Sequence, residues 1–273
     1  FGFFHHWSAT LNEPVNLRLK AIKRMDRRSF LAKGSLMLLG SLLGMNSFAK
    51  VFAALPGIAL IIDDIGPSYA RAKQFLDLEV PITYSILPHF AYSFNLAIEI
   101  HSRGHEIMLH QPMEPYNSSI DPGPGALYVG YDSVRIMNIM QENLSSLPYI
   151  SGINNHMGSK FTECQEEVKK ALNVIRSTDL FFIDSLTSCH SIAYKTARRL
   201  NIASACRNIF LDNIPEETAI IRQLARLKKH ALRYGGAIGI GHPYPETARA
   251  ISQFLNGHEN TDKMLVYASR LLK

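Results

Sequence analysis

From Ala54 onward, short apolar runs alternate with longer stretches whose apolar residues recur at helical spacing. The strand candidates are Ile58–Ile62, Ile82–Leu87, Glu106–Leu109, Ile150–Asn154, Leu180–Ile183, Ala203–Cys206, Ala237–Ile240 and Leu265–Ala268. Helix candidates lie between them at 68–77, 91–103, 132–146, 163–177, 190–200, 215–233 and 245–255. Run length and period separate the two sets. Asp132 and Thr162 suit N-cap positions, and Pro215 and Pro245 suit a first helical turn. Several strand runs are apolar throughout, as expected when both faces of a sheet are covered. The repeated β-then-α order predicts a parallel α/β fold, an irregular (β/α) barrel of about seven strands in preference to an open sheet. One connection, Gln111 to Tyr131, is long and rich in Pro and Gly, and loops of that length usually serve function.

Charge sharpens the domain picture. The chain carries 29 basic and 23 acidic residues. Residues 1–53 hold eight of the basic ones (Arg18, Lys20, Lys23, Arg24, Arg27, Arg28, Lys33, Lys50) and two acids (Glu13, Asp26), which leaves 21 of each sign in 54–273. A neutral body argues against a phosphate-tracking surface, so nucleic acid is not an expected partner. From Met25 the sequence reads Met-Asp-Arg-Arg-Ser-Phe-Leu, then an apolar stretch from Gly34 to Met45, then small residues. The Arg27-Arg28 pair followed by Phe30-Leu31 resembles a twin-arginine export signal. Its apolar stretch is too short for a membrane-spanning helix and suits a signal core, an uncleaved N-terminal anchor being the alternative. Three segments are therefore expected: 1–24 as an extension outside the fold, with translation starting at Met25; 25–53 as the signal; and 54–273 as the barrel. The expected location is periplasmic or otherwise extracytoplasmic, the membrane being met only during export.

The chemistry gathers where strand candidates end. The first ends Asp63-Asp64-Ile65-Gly66; the third leads to His110 and Glu114; the fourth ends Asn154-Asn155-His156-Met157-Gly158-Ser159; the fifth ends Asp184-Ser185; the seventh ends Gly241-His242-Pro243. In α/β barrels these C-terminal strand ends form the active-site face. Asp63-Asp64 could also simply cap a turn. Arg207 and Asp212 are a candidate pair near the pocket, either binding substrate or forming a structural salt bridge. Cys164, Cys189 and Cys206 lack Cys-x-x-Cys spacing, which disfavours thiolate-bound zinc. Cys189 and Cys206 could pair in an oxidising compartment, although buried free thiols are the commoner outcome.

Taken together, these residues resemble the polysaccharide deacetylases with a NodB-like barrel, and most closely their divergent branch, over roughly 55 to 270. The resemblance implies Asp63 as general base, Asp64 as metal ligand, His242 as general acid and Asp184 as the acid orienting the base region. It matches Gly104-His105-Glu106-Ile107 to a family motif that leads to His110 as a second ligand. Glu114 stands where the family has another ligand histidine, so His156, or failing that Glu114, is expected to complete the site. Asn155 and Ser159, in the branch's fourth-strand motif, join Arg207 and Asp212 as candidate substrate-binding residues. The implied cofactor is a divalent metal, with zinc expected, because an Asp-His-His set leaves positions open for water. The implied activity is removal of an acetyl or other acyl group from an extracytoplasmic polysaccharide or amino sugar. The alternative is an inactive barrel that binds envelope glycan or a partner protein.

Overall fold

The computed structural model describes residues 56–257 and 260–273. The segments expected as an extension and as an export signal lie outside the described residues. Among the described residues, eight strands and seven α-helices follow one another: β1 Gly57–Ile65, α1 Tyr69–Leu76, β2 Thr83–Ile86, α2 Ser93–Ser102, β3 Glu106–Met113, α3 Ser133–Ser145, β4 Gly152–Met157, α4 Gln165–Ile175, β5 Phe181–Asp184, α5 Ala193–Arg199, β6 Ser204–Cys206, β7 Ile209–Phe210, α6 Glu217–Tyr234, β8 Gly236–Gly241 and α7 Pro245–Asn256. The helix candidates all reappear. Asp132 caps α3 by accepting from the Arg135 N–H at 2.8 Å, and Pro245 opens α7. Thr162 is not a cap: it lies in a 3-10 turn, donates to the Gly158 carbonyl, and α4 starts after Cys164.

The strands form one parallel sheet in the order β6-β5-β4-β3-β2-β1-β8-β7. Its two edge strands, β6 and β7, are consecutive in the chain and separated only by Arg207-Asn208. So short a link cannot span a flat eight-stranded sheet, where neighbours stand about 4.8 Å apart, so the sheet must curl into an incomplete barrel. The link itself joins the edges. The Arg207 N–H donates to the Asp184 carbonyl of β5, and the Asn208 N–H donates to the Ile238 carbonyl of β8.

Strand alternation divides the apolar residues into two cores. Ile58, Leu60, Ile62, Ile107, Leu109, Ile153 and Phe182 face the helices in the larger cluster. Ala59, Ile61, Met108, Phe181, Ile183, Ile238 and Ile240 fill the barrel. The inner side chains are few because the interior is narrow: a Cβ on Gly152 would lie 2.5 Å from the Phe181 ring.

The segment expected as a strand at Leu265–Ala268 is not one. Leu265 makes a single bridge to Ile58, and the chain then forms a 3-10 turn at Ala268–Leu271. Ala268, Leu271 and Leu272 pack into the inner core, and the Ala268 N–H donates to Thr83 Oγ1. An apolar run that plugs a barrel end and one that lines a strand look alike in sequence. The missing strand is the two-residue β7, too short to leave a periodic signal.

Candidate metal centre and active site

The same alternation decides which polar residues meet. Continuing the inner series Ala59, Ile61 brings Asp63 into the barrel mouth. Met108 is followed by His110, Ile240 by His242, and on β4 Asn154 and His156 share that side. Asp64, next to Asp63, should face the other way. A register irregularity between Ile62 and Ile65, with Asp64 in the left-handed region at φ 56°, turns its carboxylate into the mouth as well. Asp tolerates that conformation better than most residues. Met157 (φ 51°) and Leu186 (φ 48°) take it at the ends of β4 and β5, so strained backbone gathers around the site.

Asp64, His110 and His156 each aim one ligand atom at a common point, all three atoms within 4.8 Å of one another. Asp64 Oδ1 lies 3.2 Å from His110 Nε2 and 2.9 Å from His156 Nδ1. The oxygen is buried but has no hydrogen-bond partner among the described residues. A cation at that point would satisfy an otherwise costly orphan, and one carboxylate plus two imidazoles is a donor set suited to zinc and neighbouring divalent ions. The residues fit a metal.

Asn154 orders the site. Its Nδ2 donates to Asp63 Oδ1 at 2.8 Å, an acceptor when ionised, which sets the amide orientation. Its Oδ1, 2.8 Å from His110 Nδ1, then accepts that ring proton. Ser85 Oγ donates to the same oxygen. His110 therefore presents the lone pair of Nε2 to Asp64 and His156, as a ligand must. Asn154→Ala should free the His110 tautomer and lower metal affinity about 10- to 100-fold, the usual cost of losing a supporting partner. Titration of the metal-free protein with Zn²⁺ measures it; unchanged affinity would refute the orienting role.

Proton-handling groups flank the cluster. Asp63 is 3.6 Å from His110 Nε2 and fully buried, and burial outweighs the neighbouring positive charges to hold its carboxyl above the usual pKa. His242 faces it from β8, with Nε2 3.9 Å from Asp64 Oδ2 and Nδ1 3.0 Å from Asp212 Oδ1. Asp212 Oδ2 accepts from the His242 N–H at 2.6 Å and from Thr247 Oγ1 at 2.8 Å. Burial opposes charging of His242, but the Asp212 hydrogen bond and the surrounding carboxylates prevail and lift its pKa to about 9.

Other candidates go elsewhere. Asp184 falls on the opposite parity of β5, facing the helices: it accepts from Ser191 Oγ, the Tyr194 N–H and the Leu186 N–H and so anchors the start of α5. Glu114 accepts from Lys160 Nζ at 2.7 Å and from the Val129 N–H at 2.8 Å, so both its oxygens fasten the loop after β3 and neither joins the metal cluster. Arg207 does not pair with Asp212. It donates to the Ser185 and Leu186 carbonyls and lies over Phe210, closing the barrel seam. Asn155 holds the Ser185 N–H and the Met157 carbonyl, and Ser159 Oγ accepts from the Tyr116 N–H, so both brace loops. Cys164, Cys189 and Cys206 are free thiols, Cys189 exposed. Beside the cluster lies a cavity of about 200 Å³ lined by Asp64, His156, His242, Tyr244 and Arg71. Asn154's role is foreshadowed by its spacing two residues before His156; Arg71 and Tyr244 leave no signal in sequence.

Fold and site together define a parallel α/β barrel whose mouth carries a candidate metal centre between a buried carboxylate and an Asp-held histidine. The chain belongs to the divergent polysaccharide deacetylase family, whose model matches residues 60–272. It is 33% identical over 215 residues to YibQ, an uncharacterized protein of Escherichia coli K12, covering 79% of this chain and 67% of that one. An uncharacterized protein of Haemophilus influenzae is 30% identical over 190 residues, 70% of this chain and 68% of its own. Among solved structures, the uncharacterized protein ATU2773 of Agrobacterium tumefaciens superposes with a TM-score of 0.74 at 23% identity, over 79% of this chain and 89% of that one. That likeness bears on the fold alone.

Proposed function

We propose that the protein is a metal-dependent hydrolase that removes an acetyl or related acyl group from an amino sugar of an extracytoplasmic polysaccharide. The observation that carries this is the convergence of Asp64, His110 and His156 between Asp63 and the Asp212-held His242. Asp64, His110 and His156 would hold a divalent ion, zinc being favoured by the donors, and it would supply a Lewis acid to polarise an acyl carbonyl and acidify water. Asp63, oriented by Asn154, accepts a proton as water adds to the carbonyl. His242, protonated and fixed through Nδ1 by Asp212, gives a proton from Nε2 to the departing amine. Acetate and a free amine remain.

Family membership supports a carbohydrate substrate. The twin-arginine-like Arg27-Arg28 segment supports export, with cell fractionation of an Arg27→Lys/Arg28→Lys pair as its check. The activity test is acetate release from N-acetylated glycans by Zn²⁺-loaded protein against metal-stripped protein. Metal-dependent release is expected. Glycan binding without release, in protein of full metal content, would instead make this a binding barrel.

A further inference from the structure

Arg71 sits in the first half of α1 with its side chain on the cavity that holds Asp64, His156 and His242. It is the only lysine or arginine lining that cavity among the described residues. Lys73, Arg103 and Arg249, by contrast, are matched: Lys73 pairs with Asp77, Arg103 with Glu99, and Arg249 with Glu217 and Glu246. Arg71 has no carboxylate partner among the described residues, nor a side-chain hydrogen bond; its backbone N–H donates to Ser68 Oγ. Tyr244, about one third exposed, lines the same cavity. Burial and the charges of Asp212 and Asp64 hold that phenol above its usual pKa, with Arg71 the cation that opposes them.

The cavity is small, about 200 Å³, below the roughly 300–1,000 Å³ that a drug-sized ligand fills. It admits the reacting acylamino end of a sugar and leaves the other ring substituents at the rim. There an exposed, unpaired guanidinium offers a planar fork of donors, which matches a carboxylate or phosphate in bidentate fashion. A neutral sugar hydroxyl has no comparable use for it.

We propose that Arg71 is a specificity residue that reads an anionic substituent, a carboxylate or phosphate, carried close to the acylamino group of the substrate. The inference rests on the deacetylase reading above and adds the charge class of its sugar. Tyr244 forms another part of the cavity wall, its ring available to the apolar face of the pyranose.

Binding measured by calorimetry on Zn²⁺-loaded protein tests this, with three probes: N-acetylglucosamine, N-acetylmuramic acid, which adds a carboxylate beside the acylamino group, and N-acetylglucosamine 1-phosphate, which adds a phosphate beside it. The wild type is expected to favour at least one acidic sugar over the neutral one by about 10- to 100-fold, the range of a charge-assisted hydrogen-bonded contact. Which acid is preferred identifies the source of the anion. Arg71→Gln should abolish the preference, Arg71→Lys should restore part of it, and added salt should shrink it, since the contact is exposed. On any sugar turned over, the Gln variant should raise KM for the acid with little change in kcat. Equal binding of acidic and neutral sugars, or a preference that survives Arg71→Gln, overturns the inference and leaves the deacetylase reading intact. Absence of binding by all three sugars overturns the inference, while the deacetylase reading stands or falls on acetate release from N-acetylated glycans.

Discussion

Changing Asp64 to Asn should empty the site of metal, whereas changing Asp63 to Asn should leave metal in place, and both variants should lose turnover. The two carboxylates are adjacent in sequence but differ in position. Asp64 Oδ1 stands 3.2 Å from His110 Nε2 and 2.9 Å from His156 Nδ1, so its loss removes a direct ligand. The drop in affinity should exceed the 10- to 100-fold that loss of a merely supporting residue brings. Asp63 stands to one side, with Asn154 on Oδ1 and Oδ2 3.6 Å from His110. As proton acceptor it should cost about 10²–10⁴-fold in kcat. Stability of the metal-free protein should separate the pair again. Asp63, raised by burial, favours its protonated form in the fold, so its stabilising contribution belongs to acid pH and is lost as pH rises through the folded pKa. At neutral pH the Asn variant, uncharged, should therefore be no less stable than wild type. Burial also opposes Asp64, but the adjacent His110 and His156 imidazoles outweigh it and depress its pKa. Its contribution is present above the unfolded value and lost in acid, so Asp64→Asn should be less stable at neutral pH. Elemental analysis, acetate release and urea unfolding of both variants read all three signatures. Equal metal content in the two would dissolve the division of labour.

Much of this site was legible in sequence, for a physical reason. A strand has period two, so Ala59, Ile61, Asp63 and Met108, His110 already state which side chains enter the barrel once the apolar inner positions are known. The same parity excludes Asp184, which follows Phe182 onto the helix-facing side; motif likeness pointed to it where alternation did not. Asp64 could not be assigned by parity, because its entry depends on a left-handed residue and a register shift. Glu114 and Arg207 were misplaced for a different reason. Both bear charges suited to a pocket, but Lys160 and the backbone groups of the barrel seam compete for them, and those neighbours arrive from 21 to 46 residues away. Short-range pattern carries no trace of such competition. The fold class followed from the β-then-α order alone, while its closure at Arg207-Asn208 rested on a strand of two residues.

His242→Ala should keep metal and lose about 10²–10⁴-fold in turnover, and Asp212→Asn should move the pH dependence of the same step. The reason is the pair's geometry. His242 Nδ1 is held 3.0 Å from Asp212 Oδ1, and no other hydrogen-bond partner of that ring is present among the described residues. Burial alone would lower the His242 pKa. The Asp212 hydrogen bond, with the charges of Asp64, Asp212 and Asp63, raises it to about 9 in the metal-free protein. A raised histidine pKa stabilises the fold fully below the unfolded value of about 6.5, and that contribution disappears as pH climbs through about 9. At about 1.4 kcal/mol per pKa unit, the stake is about 3–4 kcal/mol. Asp212→Asn should bring the histidine's pKa down towards its ordinary range, so the stability gap between wild type and variant should be widest at pH 6 and should narrow by pH 9. A cation beside Asp64 repels the imidazolium, so metal loading should lower the pKa in both proteins. As proton donor, His242 acts only while protonated, so turnover should fall as pH rises through its pKa, and in Asp212→Asn that fall should begin at lower pH. NMR titration of the ring in metal-free protein, set beside pH–rate profiles of the loaded forms, measures both ends of this linkage. A wild-type pKa near 6.5 would refute the Asp212 coupling, and a His242→Ala enzyme of undiminished turnover would remove His242 from the chemistry.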